Sequence, residues 1–98
     1  MAPRRISTAT VRDRSKDVFR NRYMLEICAA IDREDDRVSL SSLLEGTGLA
    51  PSLYSGPLRR LARVGLLLDD PRTGDDHRSR WYRPAPSHLW VAARELTQ

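Results

Sequence analysis

The chain has 98 residues, 40% of them hydrophobic and 31% charged, with a formal net charge of +4. That length holds one small domain with one modest core and leaves no room for an enzyme joined to a regulatory module. No apolar run approaches the roughly 18 residues that cross a bilayer, and the opening MAPRRISTATVRDRSK has no hydrophobic signal region, so a cytoplasmic protein without a membrane partner is expected.

The lone cysteine, Cys28, excludes an internal disulfide. Every basic residue except Lys16 is arginine, a bias of the kind GC-rich coding produces, so the placement of charge says more than its amount. Residues 1–22 carry seven basic and two acidic side chains, 23–51 two and six, 52–66 three and none, 67–77 one and four, and 78–98 four and one. Positive charge therefore gathers on three separate stretches. Brought together by a fold, such stretches can form one electropositive face, which agrees with a polyanionic partner.

In chain order, residues 1–16 contain Arg4, Arg5, Arg12, Arg14 and Lys16 without a clear periodicity. They read as a flexible basic arm or a frayed helical extension, with the folded domain over 17–98. From Asp17 to about Arg33, Phe19, Tyr23, Ile27 and Ala30, flanked by Met24, Cys28 and Ile31, predict one long amphipathic helix. Cys28 lies inside that stripe and reads as a buried, inert thiol, because a reactive cysteine needs exposure and electropositive neighbours. The acidic loop Asp32–Asp36 follows.

The stretch VSLSSLLEGTGLAPSLYSGPLRRLARVGLL, from Val38 to Leu67, has the pattern of a helix-turn-helix. Ser39 is placed to cap a short helix whose Leu40, Leu43 and Leu44 share a face, and Gly46 and Gly48 supply the positive φ that ends it. A second helix is expected from Pro51 to about Val64, with Tyr54, Leu58, Leu61 and Gly65 recurring as a buried stripe and Gly65 closing the helix. Ser52, Gly56, Arg59 and Arg63 fall nearly opposite that stripe, with Ser55 and Arg60 beside them. Pro57 lacks the amide that would bond the Leu53 carbonyl. Either this helix is kinked, or Ser55 caps a helix that begins late.

Leu66–Leu68 predicts a short buried strand, Asp69–Arg78 a polar segment with Pro71 and Gly74 as turn formers, and Arg80–Arg83 a returning strand that bears Trp81 and Tyr82. After Pro84 and Pro86, Ser87 is placed to cap a last helix in which Leu89, Ala92, Ala93 and Leu96 share a face, with Trp90 to one side. SLLEGTGLA, then LYSGPLRRLARVGLL, then the hairpin ending in RSRWYRP together resemble the winged helix-turn-helix transcriptional regulators, of the broad MarR/ArsR/PadR-like kind. The separation of Tyr54 from Leu58 is closer to MarR/ArsR-like helices than to the PadR-like signature. The resemblance implies a mainly helical α+β fold with a small β-hairpin wing over about 69–80. It also implies a homodimer joined through terminal helices, for which Trp90 is the candidate contact.

The function expected on these grounds is sequence-specific regulation through double-stranded DNA. The helix over about 51–64 would lie in the major groove and the wing on the flanking backbone or minor groove. Arg59 is expected to contact a base; Arg60, Arg63, Arg78 and Arg80 to hold phosphates; Ser52, Ser55 and Gly56 to lie against base edges or backbone; and Arg72 and His77 to enter the minor groove. The competing class is a winged-helix module that binds protein through Trp81, Tyr82 and Trp90. RNA binding has less behind it, since no stacked aromatic platform is apparent.

Catalysis is not expected. His77 and His88 have no placed nucleophile, and neither a nucleophile elbow nor a glycine-rich phosphate loop occurs. Asp69/Asp70 and Asp75/Asp76 lack the alternating oxygen ligands and closing glutamate of a calcium loop and read as turn formers. One cysteine and two separated histidines cannot build a tetrahedral metal site in one chain, so no metal or cofactor is expected.

Overall fold

A computed structural model describes residues 7–34, 36–70 and 80–98. The first helix, α1 (Thr8–Phe19), opens where the Ser7 side chain accepts the Thr10 N–H at 3.1 Å. It closes at Arg20, which takes the left-handed conformation at φ 55° and returns its N–H to the Lys16 carbonyl. Asn21 then restarts the chain, its side-chain oxygen accepting the N–H groups of Tyr23 and Met24 ahead of α2 (Met24–Glu34). The single helix expected from Asp17 to about Arg33 is therefore two helices. The apolar spacing of Phe19, Tyr23 and Ile27 runs across the break because both helices bury against the same core.

Most of the expected arm belongs to α1. Val11 and Ser15 are buried, Arg12 Nε meets Glu26 Oε1 at 2.7 Å with its guanidinium 5.1 Å from the Tyr23 ring centre, and Arg14 Nη1 donates to the Leu96 carbonyl. These contacts dock residues 8–16 on the body of the protein. Residues 1–6 lie outside the described residues.

Helix α2 is apolar nearly all round, with Met24, Leu25, Ile27, Cys28, Ala29, Ala30 and Ile31 buried, as a helix enclosed by its neighbours must be. The other helices pack around it. Cys28 is wholly enclosed, and burial pushes its thiol up to about 12, so it is held as the neutral thiol.

The strand β1 (Val38–Ser39) leads directly into α3 (Leu40–Thr47). Ser39 caps as expected: it accepts the Ser42 N–H at 3.2 Å while Ser42 Oγ accepts the Ser39 N–H at 3.0 Å, a reciprocal capping box. Gly48, at φ 69°, closes the helix through the Leu44 carbonyl. Leu43 is fully buried, whereas Leu40, expected on the same face, is 38% exposed.

Helix α4 (Ser52–Arg63) runs unbroken through Pro57, so the late start at Ser55 does not occur. Pro57 is itself buried, and the residue before it is Gly56, which has no Cβ to collide with the proline ring. The end is a Schellman turn: Gly65, at φ 82°, donates to Ala62 and Leu66 donates to Leu61. Gly65 thus terminates the helix and is exposed, outside the buried stripe of Tyr54, Pro57, Leu58 and Leu61.

Strands β2 (Leu67–Asp69) and β3 (Trp81–Pro84) are antiparallel, and β1 joins the other edge of β3 to give the order β1-β3-β2. The register pairs Val38 with Tyr82, Leu67 with Pro84 and Asp69 with Tyr82. Asp69, expected in the turn, is a strand residue, while Arg80 precedes the returning strand. The last helix, α5 (His88–Leu96), is capped by Ser87 through the Leu89 N–H. Its buried face is Trp90 and Ala93, with Leu89 partly covered, while Ala92 and Leu96 face outward. Trp90 Nε1 donates to the Ala85 carbonyl at 2.7 Å, which makes this residue a core anchor of its own chain and removes it as a free contact for a second copy. The protein is mainly helical with a small antiparallel sheet, and no described helix is long and apolar enough to cross a membrane.

Candidate functional site

The distribution of side chains around α4 sets up the site. Tyr54, Pro57, Leu58 and Leu61 turn inward, and at 100° per residue this leaves Ser52, Gly56, Arg59 and Arg63 on the outward side. Tyr54 fixes the helix against α3, donating from its hydroxyl to the Leu43 carbonyl at 3.0 Å. Burial holds that phenol above its ordinary value, with the nearby Glu26 charge adding to the shift, so it stays a neutral donor.

Between α4 and the sheet lies a cleft of about 840 Å³. Ser55, Arg59 and Arg63 line it from the helix, Ser41 from the start of α3, and Asp69, Arg80 and Tyr82 from the sheet side, over a floor that includes Leu58, Ala62 and Leu67. Three guanidinium groups, two from α4 and one from the residue just before β3, therefore line one concavity. Ser52, Ser55, Arg59, Arg60, Arg63 and Arg80 are all exposed, and Gly56 is half-exposed. Ser52, Gly56 and Arg60 do not line the cleft. Arg60 falls on the opposite flank of the helix from Ser55. Arg72, His77 and Arg78 lie outside the described residues.

The spacing of residues within one helix did not reveal Ser41, Asp69 or Tyr82, since each reaches the cleft from another element. The Asp69 carboxylate holds one edge of the Arg80 guanidinium, Nε donating to Oδ1 at 3.0 Å and Nη2 to Oδ2 at 3.1 Å. The same guanidinium stands 5.5 Å from the Tyr82 ring centre.

The aromatic residues do not form one exposed patch. Trp90 is in the core, Trp81 is partly covered with Arg37 stacked 4.2 Å from its ring centre, and Tyr82 is half-buried against the core. Among the described residues no group of three or more His, Cys, Asp or Glu side chains converges. No family model, curated protein or solved structure matches the chain.

Proposed function

We propose that this protein is a winged helix-turn-helix regulator that binds double-stranded DNA. In this reading α3 and α4 are the paired helices, α4 enters the major groove, and β2 and β3 form the stem of a wing beside it. The observation that carries the reading is the cleft in which Arg59 and Arg63 of α4 face Arg80 of the sheet side across a partly apolar floor. The cations of the α4 wall, unpaired among the described residues, suit a sugar-phosphate strand, the guanidinium of the sheet side adds donors opposite them, and Ser55 at the helix face allows close approach.

The division of labour follows from position. Arg59 is nearer the start of α4 than Arg63 and reads a base, bidentate to guanine O6 and N7; Arg63 holds phosphate. Arg60, off the cleft, serves the backbone on the other flank of the helix. Two copies related by a two-fold axis would place two such helices on half-sites one helical turn apart. With Trp90 internal, the outward residues of α5, Val91 and Leu96 among them, are the surface left for that association.

Selection from a random duplex library with the full chain tests the reading. Enrichment of a palindromic sequence is the expected result, and recovery of no sequence above background rejects it.

A further inference from the structure

An acidic side chain stands inside the cationic cleft. Asp69 and Arg80 are 65% and 70% exposed, and an ion pair that open to solvent contributes little to stability. Its consequence is orientation. Asp69 sits in the ladder opposite Tyr82, with the neighbouring Asp70 N–H bonded to the Trp81 carbonyl at 3.0 Å, so the carboxylate projects from an ordered strand. It takes Nε and one hydrogen of Nη2, and the Tyr82 ring lies alongside the guanidinium. What this arrangement leaves over is the Nη1/Nη2 edge, two parallel donors on a braced plane.

Pairing with a carboxylate also changes what that edge prefers. The fork keeps its donor geometry but loses net charge, so it gains little from a phosphate, whose attraction depends on charge. It suits a neutral pair of acceptors better, and guanine O6 and N7 present such a pair. We infer that Asp69 is a positioning residue that sets Arg80 to read one guanine from the sheet side of the cleft. The inference rests on the DNA-binding reading above and moves Arg80 from holding phosphate to reading a base.

The test uses the full chain and a duplex recovered by selection, with 7-deazaguanine, which lacks the N7 acceptor, replacing guanine one position at a time. At one position per half-site, beyond that read by Arg59, the replacement should weaken binding by wild type about tenfold. It should leave Asp69→Asn and Arg80→Lys nearly unaffected, because both have already lost the oriented fork. Asp69→Asn should still bind unselected DNA at least as well as wild type, having one more net positive charge, which also shows that the variant is folded. If Asp69→Asn strengthens binding to every duplex and keeps each base preference, Asp69 merely competes with phosphate and the inference is overturned. Equal sensitivity of wild type and Arg80→Lys at every position overturns it as well. Failure of wild type to select any duplex is a different outcome, in which the DNA-binding reading itself falls.

Discussion

The Tyr54 hydroxyl and the Leu43 carbonyl, 3.0 Å apart and both buried, tie α4 to α3 across the turn that joins them. Removing the hydroxyl breaks that tie but leaves the carbonyl its second donor, Thr47 Oγ1 at 3.1 Å. Tyr54→Phe should lower stability by about 0.5–1.5 kcal/mol, the net contribution of one hydrogen bond whose acceptor stays partnered. A urea unfolding midpoint that falls with unchanged slope is the expected readout.

A second buried hydroxyl holds the corner between α1 and α2. Ser15 is fully enclosed, donates to the Asn21 carbonyl at 2.5 Å and accepts the Leu25 N–H at 2.9 Å. Ser15→Ala strands both backbone groups and should cost about 1–3 kcal/mol. Hydrogen exchange at the Leu25 amide should accelerate in the variant more than exchange in α4.

Stability should fall on the alkaline side, and Cys28 contributes to that fall. Its thiol is raised in the folded protein from 9.0 to about 12. Below pH 9 both folded and unfolded chains hold the proton, and stability is independent of this group. Between 9 and 12 the unfolded chain releases it and the folded chain does not, so stability declines with rising pH, by up to about 1.4 kcal/mol per pH unit for a single group. Cys28→Ala should flatten that part of the curve, measured as chemical denaturation at several pH values, while losing some packing at all of them.

What could be read in advance followed the range of the interaction. Ser39, Gly48, Gly65 and Ser87 mark helix ends through bonds made within a few residues, and each stands where its chemistry requires. The corner at Arg20 and Asn21 was hidden because a non-glycine residue takes the left-handed turn while the apolar spacing continues past it. β1 has two residues, too few to show an alternation. The buried face of α5 is misphased in the sequence because Trp90 lies on one flank of Leu89 and Ala93 and the Ala92/Leu96 pair on the other, and packing against the rest of the core decides which flank is covered. The cleft follows the same division. Its α4 wall is periodic and could be read, whereas Ser41, Asp69 and Tyr82 arrive through tertiary packing.

If the cleft holds a phosphate strand, binding must depend on salt. The logarithm of affinity for a selected duplex should fall linearly with the logarithm of salt concentration, by about 0.9 for each phosphate neutralised. Arg63→Ala should weaken binding to all sequences alike and make that slope shallower by the same increment for each phosphate it leaves without a cation. An affinity insensitive to salt would contradict the role given to the arginines.

The most direct measurement is the sequence preference of Arg59→Ala on a footprinted site. Arg59 lines the cleft and is exposed, outside the buried stripe of α4, so the substitution should leave thermal stability within about 0.5 kcal/mol of wild type. The account predicts a loss of roughly 1–3 kcal/mol in binding and relaxed discrimination at one position of each half-site. Unchanged affinity together with unchanged preference would show that α4 does not read the groove.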